Sequence, residues 1–419
     1  MVFVLYQPLY LRRFHNHSSL DCLACCPKLI LGHVKNGEFK HALALYQTLE
    51  KDPHASLDKN AFVALLKACA KVSNVATGQE IHKKILKLGL FGNHVQLGNA
   101  LINMYMKCGY VDKARESFDD MYFRNVVSWN TLITGYVGNG YADHALTCFK
   151  AMQEDGMFPD TVTLTFILKA CAMVGSMVDG QEIHVEIARK ALLERDVMIG
   201  SALVSMYAKC GCTTKAQEVF DCLPTRDIVS WNALISGYVQ HGLDAEALKC
   251  FTKIQEDNIS PDSVTFVCIL KACSSLGAIE SGKRIHKEVL KGHSHENDLI
   301  LGTTLIDMYA KCGFLSEARN VLCKLMDRNV VSWNALVTGY ADHGAYDDVM
   351  ECLEEMKSDH IPPDCVTYVS VVKACGSVYA VDKGLENHLQ IMKDGVEGNH
   401  IVGNALVTMY AKCGYLMEA

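Results

Sequence analysis

Apolar residues recur three or four positions apart along most of the chain, which is the spacing of one face of an α-helix. In the segment 126–160 the first such series is Val126, Trp129, Leu132, Ile133 and Tyr136. The series stops at 138–140, where two glycines interrupt it. The pattern therefore predicts a short helix that ends at this break.

A second helix is predicted directly after the break. Ala145, Phe149 and Met152 mark one of its faces, and Pro159 follows where a helix cannot continue. A hairpin of two short helices cannot bury its own apolar faces, so neighbouring hairpins must stack against it. The sequence thus predicts an all-α fold of the α-solenoid type.

The same hairpin recurs at a fixed interval. The motif VSWN begins at 127, 229 and 331, and KAC begins at 67, 169, 271 and 373, a spacing of 102. The motif KCG begins at 107, 209, 311 and 412, so its last interval is one residue shorter. Each interval of 102 divides into segments of 35, 36 and 31 residues, as in 126–160, 161–196 and 197–227. The chain is a tandem array and not a series of three ordinary domains.

Composition and charge exclude several classes of protein. Half of the 419 residues are hydrophobic and 21% are charged, which excludes a disordered chain. No run approaches the roughly 18 apolar residues of a membrane-spanning helix. The formal net charge of −7 gives no bulk attraction for a nucleic-acid backbone. Nineteen cysteines would suit a disulfide scaffold in a short secreted chain, but this chain has 419 residues. Arg12 and Arg13 follow the first apolar stretch, whereas the basic residues of a signal peptide precede it.

The repeat lengths and the motifs VSWN, KAC and YAKCG resemble the pentatricopeptide repeat family, and their alternation resembles its plant PLS subclass of P, long (L) and short (S) repeats. The resemblance implies a right-handed superhelix of about twelve helix-turn-helix repeats. The tetratricopeptide repeat, a peptide-binding hairpin of about 34 residues, is the alternative, but its single period does not match. The predicted domains are an N-terminal segment 1–22 and an array 23–419, made of P 23–58, L 59–94, S 95–125, P 126–160, L 161–196, S 197–227, P 228–262, L 263–298, S 299–329, P 330–364, L 365–399 and an incomplete S 400–419.

The family resemblance implies recognition of single-stranded RNA, one base per repeat, by the fifth and last residues of each repeat. In the well-formed P repeats these pairs are Asn130 with Asp160, Asn232 with Asp262 and Asn334 with Asp364, which resemble a uracil-preferring combination. In the S repeats they are Asn99 with Asn125 (pyrimidine), Ser201 with Asp227 (guanine) and Thr303 with Asn329 (adenine), and Asn404 opens a further S repeat.

The L repeats fit this pattern poorly. Their fifth residues are Val63, Thr165, Val267 and Val369, so the resemblance implies that they act largely as spacers. Thr165 with Asp196 is the exception and adds a weak guanine preference, whereas Pro27 occupies the reading position of the first P repeat. With the N-terminal repeat at the 5′ end, repeats 95–399 predict the RNA sequence Y-U-n-G-U-n-A-U-n, where n is an unread base.

Structural roles compete with base reading at these positions. The aspartates that close the P repeats directly precede a helix, so each is also a candidate N-cap, and the two roles are compatible. Asparagine is unfavourable one turn inside a helix unless its amide is used, which favours a reading role for Asn130, Asn232 and Asn334. Val127, Val229 and Val331, as second residues, either clamp bases between repeats or pack in the core.

No catalytic, cofactor or metal site is predicted. His184-Val185-Glu186 and His286-Lys287-Glu288 match half of a zinc deaminase signature, but the partner motif P-C-x-x-C is absent and the histidine recurs every 102 residues. Cys22 and Cys25 form a single C-x-x-C pair, which is a weak zinc signal. The recurring cysteines are expected to be small buried hydrophobic residues.

The predicted function is a sequence-specific RNA-binding specificity factor for organelle RNA processing or C-to-U editing, without catalysis of its own, with an editing deaminase or accessory protein supplied in trans. The alternatives are a peptide-binding scaffold and a fragment of an editing enzyme that lacks its C-terminal DYW deaminase domain. Arg12, Arg13, Ser18 and Ser19, with no acidic residue before Asp21, are compatible with a transit peptide. Family resemblance points to the mitochondrion or the plastid.

Overall fold

A computed structural model describes residues 19–49, 57–92, 94–291, 298–396 and 398–415, with side chains from residue 27 onward. Residues 1–18 of the predicted N-terminal segment and 416–419 of the last S repeat lie outside this description, as do the side chains of Cys22 and Cys25. The chain forms two compact bodies, Met1–Cys210 and Gly211–Ala419, and each is treated separately below.

The described part of the N-terminal body contains eleven α-helices and no strand. They are α1 Ser19–Lys35, α2 Phe39–Leu49, α3 Lys59–Val72, α4 Val75–Lys87, α5 Val95–Lys107, α6 Val111–Asp119, α7 Val126–Gly138, α8 Ala142–Glu154, α9 Thr161–Val174, α10 Met177–Arg189 and α11 Val197–Lys209.

In the C-terminal body the described residues form twelve further helices, again without a strand. They are α12 Thr213–Asp221, α13 Ile228–Gln240, α14 Asp244–Glu256, α15 Ser263–Leu276, α16 Ile279–Lys291, α17 Leu299–Lys311, α18 Leu315–Lys324, α19 Val330–Asp342, α20 Tyr346–Ser358, α21 Cys365–Ser377, α22 Val381–Lys393 and α23 His400–Lys412.

Odd-numbered helices, the first helices of the hairpins, stack on one another within each body. In the N-terminal body α5 contacts α7, α7 contacts α9 and α9 contacts α11, and the series α13 to α23 behaves in the same way. A second helix such as α8 packs against both its own first helix α7 and the next one, α9. Each body is therefore an all-helical solenoid, which confirms the predicted fold class.

The predicted apolar faces form the core. Trp129, Leu132, Ile133 and Tyr136 of α7 are buried, as are the three residues that predicted the second helix, Ala145, Phe149 and Met152. The indole ring of Trp129 also meets the Phe118 ring edge-on, with ring centroids 4.6 Å apart. Stacking of neighbouring hairpins thus removes from water the surface that one hairpin would expose.

Glycine ends the first helix of each S repeat. Gly109, Gly211, Gly313 and Gly414, the last residues of the KCG motifs, have φ between +79° and +84°. Only glycine adopts this left-handed conformation without strain, so the motif fixes the turn into the second helix. None of the described helices has the length and apolar character required to cross a bilayer.

Candidate nucleic-acid interface

Asn130 and Asp160, the fifth and last residues of a P repeat, meet at the junction with the next repeat. The Nδ2 atom of Asn130 donates to both carboxylate oxygens of Asp160, at 3.0 Å each. The hydroxyl of Thr163, the third residue of the following L repeat, donates to Oδ1 of Asn130 at 2.6 Å. Three side chains from two repeats therefore form one hydrogen-bonded cluster, which we call the Asn–Asp–Thr cluster.

The Asn–Asp–Thr cluster recurs twice in the C-terminal body. Asn232 Nδ2 lies 2.9 and 3.1 Å from the two carboxylate oxygens of Asp262, and Thr265 donates to Asn232 Oδ1 at 2.7 Å. Asn334 Nδ2 lies 2.9 Å from Asp364 Oδ1, and Thr367 donates to Asn334 Oδ1 at 2.6 Å. All three complete P repeats thus share the bonds from Asn Nδ2 to Asp Oδ1 and from the Thr hydroxyl to Asn Oδ1, which follows from their common sequence.

The aspartates are N-caps, as the sequence indicated. Asp160, Asp262 and Asp364 precede α9, α15 and α21, and each accepts a hydrogen bond from the backbone N–H of the threonine three residues later, at 2.9 to 3.0 Å. The threonine hydroxyl accepts from the aspartate N–H in return, which completes a capping box. The capping oxygen Oδ1 also accepts from the asparagine Nδ2 in all three clusters, so one carboxylate both caps the helix and holds the amide.

These contacts keep the aspartates ionised. Partial burial alone would raise the pKa of Asp262, but the hydrogen bonds from the Thr265 backbone and from the Asn232 and Thr265 side chains outweigh it, and the net effect lowers the pKa. The pKa values of Asp160 and Asp364 are lowered by the same balance. Each cluster therefore presents a carboxylate, which accepts hydrogen bonds and cannot donate them.

The three asparagines have a structural use that the sequence did not indicate. Asparagine in the first turn of a helix seemed to have no structural use, yet the amides of Asn130, Asn232 and Asn334 already bond to protein groups. The side chains of Asn130 and Asn334 are only 8% exposed. The junction between repeats therefore gives these asparagines a structural role, with which a reading role is compatible.

The second residues of the first helices are exposed although they are apolar. Val127, Val229 and Val331 are 57%, 58% and 57% exposed, so they do not pack in the core. The sequence interpretation missed that L and S repeats share this feature, at Val162, Met198, Val264, Ile300, Val366 and Ile401. Their common position after each helix start was the signal that could have revealed them. From α7 to α11 in one body and from α13 to α23 in the other, successive first helices thus expose an apolar side chain at one register.

The S repeats place their predicted reading residues less uniformly. Asn404 is exposed, Asn99 and Thr303 are half-buried, and Ser201 is buried with its hydroxyl 3.0 Å from the Val197 carbonyl oxygen. The closing residues Asn125, Asp227 and Asn329 cap α7, α13 and α19 with serine-based capping boxes. The Oδ1 atom of Asn99 is buried and has no hydrogen-bond partner among the described residues.

In the L repeat 161–196 the fifth and closing residues form hydrogen bonds with nearby backbone groups. The hydroxyl of Thr165 donates to the Thr161 carbonyl oxygen at 2.7 Å, and Asp196 accepts from the Met198 N–H at 2.9 Å to cap α11. Val63, Val267 and Val369 are half-buried. These contacts are local, and none of them joins a fifth residue to a closing residue.

The recurring histidines have a partner that the sequence did not reveal. The Nδ1 atoms of His82, His184, His286 and His388 each lie 2.9 Å from a tyrosine hydroxyl, those of Tyr105, Tyr207, Tyr309 and Tyr410. Each bond joins the second helix of an L repeat to the first helix of the following S repeat. No group of residues suited to hold a metal ion occurs in the part of the chain that the structure describes.

The recurring cysteines behave in two ways. Cys69, Cys171, Cys273 and Cys375 are fully buried, as expected, and burial raises the pKa of Cys171 to about 12. The cysteines of the KCG motifs are only half-buried, which corrects the expectation for this set. The Cys210 Sγ atom lies 3.8 Å from the Cys171 carbonyl oxygen, so the thiol contacts the backbone of the preceding repeat.

Sequence profiles recognise the array. The profile of the PPR repeat family matches residues 124–173, 226–275 and 328–377, and a profile of the PPR repeat matches residues 99–126, 201–228 and 303–330. The chain belongs to the pentatricopeptide repeat (PPR) family. The first profile spans the junctions that carry the Asn–Asp–Thr clusters.

Named relatives of this PPR chain come from Arabidopsis thaliana. It is 32% identical to the pentatricopeptide repeat-containing protein At4g18520, chloroplastic, over 93% of this chain and 63% of the relative. It is 33% identical to At3g09040, mitochondrial, over 92% of this chain and 37% of the relative. The chain thus spans less than two thirds of the length of these relatives.

Solved structures share the PPR fold. The crystal structure of the pentatricopeptide repeat protein PPR10 in complex with an 18-nt psaJ RNA element superposes with a TM-score of 0.62 at 18% identity, over 90% of this chain and 61% of that one. At this identity the likeness concerns the helical architecture.

Proposed function

We propose that this PPR chain binds single-stranded RNA in a sequence-specific manner and reads one base per suitable repeat. The observation that carries the proposal is the Asn–Asp–Thr cluster, which places an amide donor beside a carboxylate acceptor in every complete P repeat. The RNA-bound structure of PPR10 shares the fold, which supports the same ligand class.

The chemistry of the cluster favours uracil over cytosine. Both carboxylate oxygens lie in the same direction from Nδ2, so one N–H of the amide satisfies them and the second remains for a ligand. An amide N–H next to a carboxylate matches uracil, which offers a carbonyl oxygen beside an N3–H. Cytosine offers an unprotonated N3 there, which the carboxylate would repel.

The exposed apolar side chains supply the second part of the site. Val127, Val229 and Val331 lie three residues before the reading asparagines and are more than half exposed. Such side chains can support the faces of unstacked bases, a contact that tolerates any base. The remaining reading pairs then give the register Y-U-n-G-U-n-A-U-n along repeats 95–399.

A selection of random RNA by the purified chain tests this function. The enriched sequences are expected to contain uracil at three positions spaced three nucleotides apart. A nine-nucleotide RNA with these uracils should bind more tightly than its counterpart with cytosine at all three, by about 1–3 kcal/mol per contact. Equal binding of the two RNAs, or preferential capture of peptides in a parallel selection, would refute the proposal.

The cellular role is part of the same proposal. We assign the chain to the PLS subclass on its 35, 36 and 31 residue pattern and infer a specificity factor for organelle RNA processing or C-to-U editing. The deaminase or accessory protein would then act in trans. The chloroplastic and mitochondrial names of the relatives support an organelle location. Loss of one editing or processing event in organelles that lack the protein is the expected phenotype.

A further inference from the structure

We propose that Thr163, Thr265 and Thr367 are positioning residues for base selection: the hydroxyl of the third residue of each following L repeat fixes the reading asparagine as a hydrogen-bond donor. The inference rests on the proposed function and extends it, because it assigns the choice of base to three residues drawn from two repeats.

The threonine hydroxyl lies closer to the oxygen of the asparagine amide than to its second acceptor, the Oδ1 atom of the cap aspartate, which is 2.9 to 3.0 Å away. Thr265 Oγ1 lies 2.7 Å from Asn232 Oδ1, and the corresponding distances at Thr163 and Thr367 are 2.6 Å. The hydroxyl also accepts a hydrogen bond from the Asp262 N–H at 3.3 Å, which orients its proton away from that backbone group. All three threonines are at most 1% exposed, so water does not compete for these bonds.

This arrangement determines which atom of the amide can reach a ligand. With Nδ2 directed at the aspartate carboxylate and Oδ1 at the threonine hydroxyl, a flip of the amide would place its oxygen against the carboxylate and break the bond from the hydroxyl to Oδ1. The carboxylate and the hydroxyl therefore both hold the asparagine in the orientation in which it is a donor beside the carboxylate. Without the hydroxyl, Oδ1 would be left unsatisfied near the core and the side chain would rotate toward another partner.

The junctions that precede the P repeats show that a hydroxyl at this position does not by itself make such a cluster. Ser230 and Ser332 are also third residues, but their hydroxyls donate to the carbonyl oxygens of their own caps, Asp227 and Asn329, at 2.8 and 2.9 Å. The hydrogen bond from a third residue to the fifth residue of the preceding repeat is thus made by the threonines that follow P repeats.

Thr265→Val tests the inference because it keeps the shape of the side chain and removes the hydroxyl. The RNA is Y-U-n-G-U-n-A-U-n, in which Asn232 and Asp262 face the fifth nucleotide, with uracil or cytosine at that position. Loss of one hydrogen bond should reduce the uracil-to-cytosine preference there by about threefold to tenfold. The preferences at the second and eighth nucleotides should stay as in the unaltered chain.

Two further variants separate positioning from stability. Thr265→Ser retains a hydroxyl and should retain the preference at the fifth nucleotide. Ser117→Ala removes an equally buried hydroxyl that bonds the Lys113 carbonyl oxygen on α6, and it should lower stability without changing any base preference. If Thr265→Val does not fold, Thr163→Val and Thr367→Val report on the second and eighth nucleotides.

The outcomes distinguish this inference from the proposed function. An unchanged preference in folded Thr265→Val would overturn the positioning role while RNA binding stands. An unaltered chain that shows no uracil preference at any of the three positions would instead overturn the base-reading function itself.

Discussion

The Nδ1 atom of His286 lies 2.9 Å from the hydroxyl of Tyr309, and this bond joins α16 to α17. Burial lowers the pKa of His286, and the charge of Lys324 lowers it further. Burial also raises the pKa of Tyr309, so the tyrosine remains a donor to a neutral imidazole. The equivalent His82 has a lowered pKa for the same principal reason.

Stability should therefore fall on mild acidification. Because the histidine pKa is lower in the folded chain, the unfolded chain binds more protons below about pH 6.5. The contribution of the neutral histidine to stability is complete above that pH. It is lost as the pH falls toward the pKa that the histidine has in the folded chain. Each tenfold difference in proton affinity between the folded and unfolded chains corresponds to about 1.4 kcal/mol. Thermal midpoints measured between pH 7.5 and 5 should show the decline.

His286→Gln provides the comparison for this prediction. Glutamine can still bond the tyrosine hydroxyl but does not titrate, so the acid-induced decline should become smaller. His400→Gln alters an exposed histidine at the start of α23 and should leave the decline unchanged. A decline of equal size in all three proteins would show that the His286–Tyr309 bond does not cause it.

Asn232→Thr should change one base preference. Threonine in the reading position resembles a guanine-selective repeat when the closing residue is aspartate, so the fifth nucleotide should change from uracil to guanine. The change in preference should amount to about 1–3 kcal/mol in binding assays with single-base substitutions. Asn130 and Asn334 serve as internal controls, because the second and eighth nucleotides should remain uracil.

Val229→Ala should weaken RNA binding without loss of stability. Val229 is 58% exposed, so the folded chain loses little buried surface. Removal of two methyl groups that cover a base should cost about 1 kcal/mol, or about fivefold in affinity for any base. Val185→Ala, at an exposed position on the second helix α10, is the matched control and should bind RNA as before. Equal affinities of the two variants would contradict a clamping role.

Gly339→Ala should destabilise the C-terminal body. A Cβ atom at this position would lie 2.4 Å from the Cβ atom of Ala310, which has no rotatable bond to relieve the clash. The expected cost is about 1–3 kcal/mol. Gly138→Ala is the control, because a Cβ atom there meets nothing within 4 Å, and it should be neutral or stabilising by up to about 1 kcal/mol. Similar thermal midpoints for the two variants would disprove the close contact.

Features that depend on residues close together in the sequence could be predicted from it. The apolar spacing from Val126 to Tyr136 predicted α7, and Asp160 as a cap predicted the start of α9. Contacts between distant residues could not be predicted, because periodicity gives the face of a helix but not its partner. The bond from Thr265 to Asn232 spans 33 residues, and that from His286 to Tyr309 spans 23.

The candidate site was predicted only in part. The sequence indicated the paired positions, such as Asn232 and Asp262, through a family resemblance. It did not indicate that the Asn232 amide bonds to Asp262, because this contact depends on the stacking of α13 against α15. The exposed side chains of Met198 and Ile300 were missed because apolar residues near a helix start usually indicate packing.

The hydrogen bond between Asn232 and Thr265 has a consequence for protein engineering. A designer who grafts a P repeat into another array as an isolated cassette would cut between Asp262 and Ser263 and leave the threonine behind. With the threonine as the proposed positioning residue, the exchangeable module would extend from the first residue of the P repeat through the first turn of its successor. A chimaera joined after that turn should keep the base preference of the grafted repeat. A chimaera joined between Asp262 and Ser263 instead takes the third residue of the next repeat from the recipient array.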